Sequence, residues 1–415
     1  MSYATQMLFI LPELVLTLGS LVLMLAAAWG GQASTRAISY AAVALLIGAG
    51  IALAGPASTG GEAFDGLWRS DAFGAFAKVL IYIASGVAIL IAPRFFAESA
   101  GDDLRPEYPV LMLLAAVGMG MMVSAADLLT LYVGLELQSL AAYVLASFMR
   151  RDQRSAEAGL KYFILGALAS GILLYGISLV YGFSGTTLYS GISDAYAGSD
   201  SLGLLFGLVF VFAGLAFKIA AVPFHMWTPD VYEGAPTPVT LSFASAQKVA
   251  AVALALRIAV EAMGPATADW RQIVIFAALA SIILGAVAAI NQQNIKRLLA
   301  YSSINNIGFA LIGLAAGTQE GIAAVLVYMT IYVAMTLGSF LVVLQMRGAD
   351  GQPVESIASL SGMSRTRPGL ALALAMFMFS LAGIPPLFGF YAKFAVFDAA
   401  VRAGLFPLAV IGIAA

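Results

Sequence analysis

Eight charged side chains stand inside apolar runs, where a charge is costly: Glu13, Lys78, Glu136, Lys161, Lys218, Lys248, Arg257 and Lys393. A charge at the centre of a bilayer costs about 2.5–3.5 kcal/mol on insertion scales, so eight unpaired ones would cost on the order of 20 kcal/mol. That exceeds the whole folding stability of a typical domain. Apolar residues flank Glu136, Lys218, Lys248 and Lys393 on both sides, which points these four into a protein interior. For Lys78, Lys161 and Arg257 two readings stay open: interior placement, or snorkelling from near a helix end. The set is rich in lysine, holds few carboxylates and contains no metal-binding pattern. Burial penalises the charged form of acid and amine alike, and a nearby carboxylate restores the charged amine. A row of such groups linked by water passes protons in steps. A sodium site would instead call for buried Asp, Asn and unwound carbonyls, and a sugar or amino-acid carrier rarely needs several buried lysines.

The rest of the composition agrees with a membrane setting. Of 415 residues, 61% are hydrophobic and 10% charged, against roughly 45–50% and about 25% in a soluble domain. Mean hydropathy is +0.96, which excludes the soluble classes. A net charge of −2 argues against nucleic acid as a partner. With no Cys and a single His, iron–sulfur clusters, c-type haem, disulfides and nearly all transition-metal sites are excluded, so no cofactor or metal is expected in this chain.

Positioning these charges requires membrane helices. Continuous apolar segments rich in Ala, Leu, Gly and Met start near Leu8, Ile38, Phe73, Pro109, Leu128, Gly159, Leu204, Val239, Ile273, Leu298, Gly321 and Gly369. Each reaches the roughly 20 residues a span needs. The expected fold is an all-α polytopic membrane protein with twelve complete transmembrane helices. A thirteenth begins near Gly404 and is too short to cross before Ala415, so the chain reads as truncated. The first run lacks the leading positive charge of a secretory signal and is interrupted by Glu13. With the N-terminus outside, the inner loops hold Arg36, Arg94, Arg105, Arg150, Arg151, Arg154, Lys296, Arg297, Arg347, Arg365 and Arg367. The outer loops hold only Arg69, Arg271 and Arg402, which supports a periplasmic N-terminus.

Two apolar runs are broken in a similar way. One reads Ala213-Gly-Leu-Ala-Phe-Lys218-Ile-Ala-Ala-Val-Pro223, the other Ala382-Gly-Ile-Pro385-Pro386 followed by Lys393. Proline breaks the helical hydrogen-bond ladder, and in a membrane the freed carbonyls need cover from protein or water. Interrupted helices at corresponding places point to a transport site, with a simple proline kink as the plainer reading. His225 stands five residues before Asp230 and eight before Glu233, at the inner end of the first break. It reads either as a hydrogen-bonded structural residue or as a group near a proton entrance.

The stretch His225-Met-Trp-Thr-Pro-Asp230-Val-Tyr-Glu-Gly-Ala-Pro-Thr-Pro-Val, with Lys218 before it and Lys248 after it, strongly resembles the proton-pumping antiporter-like subunits of respiratory complex I. Gly134-Leu-Glu136-Leu-Gln-Ser-Leu and the run from Asn291 through Lys296 to Asn305 fit the same family, and the resemblance covers nearly the whole chain. It implies about 14 helices in the full family fold, with an inverted repeat of two five-helix units. Residues 1–108 would hold helices 1–3, residues 109–262 the first unit (helices 4–8), and residues 263–415 the second (helices 9–13, truncated). It also implies roles. Glu136 would pair with Lys218, Lys161 would modulate that pair, Lys248 would be the central link and Lys393 the terminal proton carrier. The implied partners are other membrane-arm subunits of the complex, lipid and protons, in a bacterial inner membrane, with electron transfer to quinone elsewhere. The alternative is an Mrp-like cation/proton antiporter subunit, which shares the fold and the buried Glu–Lys logic.

Overall fold

A computed structural model describes residues 2–97, 104–198, 201–348 and 353–415. The short α1 (Tyr3–Phe9) precedes α2 (Leu11–Gly30) and α3 (Thr35–Ala52). A hairpin, β1 (Gly61–Ala63) and β2 (Trp68–Ser70), leads into α4 (Ala72–Ala97). Next come α5 (Glu107–Ser124), α6 (Leu128–Ala146), α7 (Gln153–Ser184), α8 (Tyr189–Gly198) and α9 (Leu202–Ile219). The middle of the chain forms α10 (Trp227–Gly234), α11 (Thr237–Ala244), α12 (Ala246–Arg257), α13 (Thr267–Ile290), α14 (Ile295–Ala316) and α15 (Gln319–Val343). Last are α16 (Met363–Thr366), α17 (Pro368–Ala382), α18 (Phe388–Arg402) and α19 (Phe406–Ala414).

Among the described residues, ten helical stretches are long and apolar enough to cross a membrane. The first, Leu11–Ala52, contains both α2 and α3, while α17 is too short alone and continues past a break into α18. The expected twelve crossings treat α2 and α3 separately and α17–α18 as one interrupted helix. Polar caps set the starts of several helices. Asp127 accepts from Leu129 N and Thr130 N at the head of α6, and Asn294 accepts from Lys296 N and Arg297 N at the head of α14. Neighbouring helices approach closely where side chains are absent. A Cβ on Gly176 of α7 would sit 2.7 Å from Val211 N of α9, and one on Gly308 of α14 would sit 2.8 Å from Ala278 O of α13.

Cross-connections sort the helix ends onto two faces. On the face of the N-terminus, Ser70 Oγ donates to Phe9 O at 3.1 Å, Trp68 bridges to Ala125, Asp127 bridges to Leu188, and Arg69 reaches Glu261. On the opposite face, Gln32 Nε2 donates to Leu104 O, Asn294 bridges to Ser356, and Arg297 reaches Asp230. Each contact joins ends that strict up-and-down alternation puts on one side.

Three features depart from the sequence reading. The β1–β2 hairpin is a small antiparallel addition to an otherwise helical chain, turned by Phe64, Asp65 and Gly66, all at positive φ. Asp-Gly flanked by strand formers is the local cause. The connection between the apolar runs that start near Gly159 and Leu204 carries an additional helix, α8. Lys296, counted as a loop charge, lies in the first turn of α14 and is 2% exposed.

Candidate functional site

The first break falls between α9 and α10. Helix α9 ends at Ile219, and Ala220 turns into the left-handed region at φ 61°. Four protein groups cover the polar atoms this releases. Ala221 N donates to Ala216 O at 2.8 Å, Trp227 Nε1 to Phe217 O at 3.0 Å, Lys248 Nζ to Ile219 O at 2.7 Å, and Val222 N to Ser281 Oγ at 2.9 Å. Lys248, on α12, is fully buried and lies 5.5 Å from the Trp227 ring. Its ammonium thus rests on the terminal carbonyl of the broken helix, one residue beyond Lys218. The Val222–Ser281 bond ties the break to α13 in the second half of the chain.

Lys218 is 8% exposed and donates to Ser139 Oγ at 2.6 Å, and Ser139 Oγ in turn donates to Leu135 O. Glu136 lies three residues before Ser139, so both sit on one face of α6. The Glu136 carboxylate accepts from Ser170 Oγ of α7. No direct Glu136–Lys218 ion pair forms among the described residues, but the two charges act on each other across this face. Ser139 stands at the ammonium and Ser170 at the carboxylate.

The second break falls between α17 and α18, where Gly383 adopts φ 85°. Lys393 of α18 reaches back and donates to Ala382 O, the last carbonyl of α17, at 3.0 Å. Its ammonium lies 4.1 Å from the Phe309 ring of α14. A cavity of about 990 Å³ opens beside it, with Ser302 and Asn305 of α14 in its wall. Each break therefore ends in a carbonyl capped by a lysine ammonium, supplied at the first by the neighbouring α12 and at the second by the continuing chain.

Helix α14 packs against both α10 and α18 and carries a polar run within its apolar length. Tyr332 Oη of α15 donates to Ser303 Oγ at 2.8 Å, and Tyr328 Oη donates to Asn306 Oδ1 at 2.6 Å. Ser303 and Asn306 are each 2% exposed. The signal was present: Ser302-Ser303-Ile304-Asn305-Asn306 is the most polar stretch inside an apolar helix. These hydroxyls and amides lie on the helix that packs against both α10 and α18.

Lys161 is placed elsewhere. Its side chain is 41% exposed, and its ammonium is held at 2.7 Å by both Glu157 and Asp230. Among the described residues no hydrogen bond or ion pair joins it to Glu136 or Lys218. Asp230 also accepts from Arg297 at 2.6 Å, and Arg297 reaches Glu233 at 3.1 Å. These groups, with Arg154, line a cavity of about 250 Å³ on the face opposite the N-terminus. His225 lies in the break itself, half-buried, with Nδ1 outside hydrogen-bond geometry to any of the described residues.

Beside that cavity, Lys296 Nζ donates to Glu233 O and Ala235 O, each at 2.7 Å, and pairs with Glu355 at 3.0 Å. Burial raises the Glu355 carboxyl, but the Lys296 charge and hydrogen bonds from Asn294 and Lys296 outweigh it, so its pKa lies below the ordinary glutamate value. Among the described residues no cluster of His, Cys, Asp or Glu is built to hold a metal.

A membrane bundle with two broken helices and a lysine amine on each broken end defines a class. A family model described as NADH:quinone oxidoreductase/Mrp antiporter, transmembrane, matches residues 125–415, and the chain belongs to this family. Within it, the chain is 70% identical over 414 residues to NADH-quinone oxidoreductase subunit N of Rhizorhabdus wittichii, covering 100% of this chain and 86% of that protein. It is 63% identical to subunit N of Sphingopyxis alaskensis, over 97% of this chain and 84% of that one. A chain of respiratory complex I from Thermus thermophilus, solved with bound aureothin, superposes with a TM-score of 0.83 at 32% identity, over 97% of this chain and 86% of that chain. A chain of the Mrp complex from Dietzia superposes at 0.85 with 24% identity, over 100% of this chain and 77% of that chain, which shows the shared fold alone.

Proposed function

We propose that the chain is a proton-translocating membrane-arm subunit of NADH-quinone oxidoreductase, without redox chemistry of its own. The observation that carries this reading is the set of titratable groups at the two breaks, Glu136, Lys218, Lys248 and Lys393, with the polar groups Ser303 and Asn306 of α14 and their tyrosine partners on α15. Protons enter at the cavity of Lys161, Asp230 and Arg297, with His225 nearby in the break. A proton on Lys218 draws Glu136 into contact; withdrawing Glu136 releases the proton toward Lys248. Arrival of charge at Lys248 then favours release from Lys393 by like-charge repulsion. Residues 1–108 form a separate three-helix unit, and residues 109–262 and 263–415 form the two inverted units. The broken helix is the fourth crossing in each, and the Asx-capped second helix starts on opposite faces, at Asp127 and Asn294. The N-terminus faces the periplasm of a bacterial inner membrane. NADH and quinone react in other subunits, and the partners here are neighbouring membrane-arm subunits, lipid and protons. The test is Glu136→Gln in the assembled complex, with NADH-driven proton pumping measured in vesicles. Glu136→Gln slows pumping and the linked turnover, and Glu136→Asp does so less. Normal assembly with wild-type turnover and pumping in Glu136→Gln would reduce the pair to a structural one.

A further inference from the structure

A second set of buried polar groups lies outside the matched family region, in the N-terminal helices. Glu13 in the first turn of α2 and Lys78 of α4 form an ion pair of 2.6 Å, with side chains 8% and 1% exposed. Lys78, Tyr82 and Ser85 follow one another at four and three residues, so they share one face of α4. Tyr82 is 5% exposed and Ser85 1%. The Tyr82 hydroxyl, the Ser85 hydroxyl and Glu13 Oε2 have no hydrogen-bond partner among the described residues. Tyr82 lies within electrostatic reach of Glu13. Gly120 of α5 makes room for the carboxylate, since a Cβ there would stand 2.5 Å from Glu13 Oε1. The Trp68 ring of β2 roofs the ammonium at 4.9 Å.

Buried polar atoms are almost always satisfied, and orphans gathered in one place mark bound water. A buried ion pair is also a poor source of stability, because an apolar replacement of similar shape is often as good or better. An ion pair inside the membrane, flanked by orphan hydroxyls, therefore has the composition of a site that binds water and exchanges protons. We propose that Glu13, Lys78 and Tyr82 form an internal hydrated proton site in the N-terminal three-helix unit, separate from the row that runs from Glu136 to Lys393. The water bridges Glu13 Oε2 and the Tyr82 hydroxyl. Ser85 extends the polar face inward, and Trp68 closes it toward the N-terminal face. The proposal rests on the pumping role assigned above.

The test uses the intact complex with three variants: Tyr82→Phe, the double change Glu13→Gln with Lys78→Met, and Lys218→Met as a control on the main row. Tyr82→Phe removes only an unpartnered hydroxyl, so a purely structural site leaves it at least as stable and as active as wild type. The proposal expects proton pumping in Tyr82→Phe to slow about fivefold at equal assembly, the rate equivalent of one net hydrogen bond. It expects a comparable loss in the double variant, and an ordered water between Glu13 and Tyr82 in a high-resolution map of the wild-type complex. Wild-type pumping in Tyr82→Phe overturns the proposal, whether or not the double variant assembles. Impaired pumping in Lys218→Met beside a normal Tyr82→Phe rejects this site alone. Normal pumping in Lys218→Met rejects the pumping role itself.

Discussion

Lys393 approaches its break from the C-terminal side and Lys218 from the N-terminal side, yet each break ends in a lysine-capped carbonyl. The amine of Lys393 is both a donor to Ala382 O and a titratable group, and two substitutions separate the roles. Lys393→Met keeps the apolar stem and removes the proton. Lys393→Arg keeps a charge that does not leave, because a guanidinium stays protonated. If Lys393 releases protons, both variants lose pumping at equal assembly; if it only caps the carbonyl with charge, Arg functions and Met fails. Side-by-side proton pumping in vesicles decides. The sequence showed which lysines are anomalous because apolar neighbours on both sides leave a charge nowhere else to go. It hid Lys296, which follows the Asx cap of a helix and so looks like a surface charge; only Glu233 O, Ala235 O and Glu355, brought from distant segments, bury it. The modulating role that the resemblance implies for Lys161 had no local signal for its partners, because Asp230, which pairs with it, comes from a distant segment.

At the scale of elements, the breaks depend on close backbone approach. A Cβ on Gly389 would run into the Ser380 carbonyl, with backbone on both sides and no flexible side chain to yield. Gly389→Ala therefore pushes α18 away from α17 and moves Lys393 off Ala382 O. The expected cost is about 1–3 kcal/mol, typical of overpacking. It would be read as a lower thermal midpoint of the complex together with reduced pumping; an unchanged midpoint would show that the break adapts. The strap from Pro353 to Ile357 is held to α14 by main-chain bonds, Ile295 N to Glu355 O and Ile357 N to Gln293 O, and by the Lys296–Glu355 pair. Since the folded Glu355 value is depressed, this contact stabilises the strap above the unfolded glutamate value of about 4.3 and is lost as pH falls through the folded value. Hydrogen exchange at Ile295 and Ile357, corrected for intrinsic rates, should stay protected from neutral pH down to about pH 5 and fail only in stronger acid. Glu355→Gln should expose both amides at neutral pH. Equal protection in the variant would show that the main-chain bonds suffice. Periodicity could not reveal this strap, because its partners are more than fifty residues apart in the chain.

For the whole molecule, the two-faced arrangement of helix ends was legible in the alternation of apolar runs and basic loops, and the contacts across each face follow it. The absolute direction rests on the basic loops alone. Single cysteines placed in the 150–154 segment should label only from the inner side of sealed vesicles, and those in the 186–198 segment only from the outer side; the reverse pattern would invert the topology. The central claim is that protons cross on the titratable groups at the two breaks. Lys248 is the point to test, since it is fully buried and rests on the broken end of α9 beside Lys218. The measurement is protons translocated per NADH oxidised by the assembled complex carrying Lys248→Met, compared with wild type at equal subunit content. The account predicts a lower proton yield or a coupled fall in both pumping and turnover. Wild-type yield at the wild-type rate, in a fully assembled Lys248→Met complex, would contradict it.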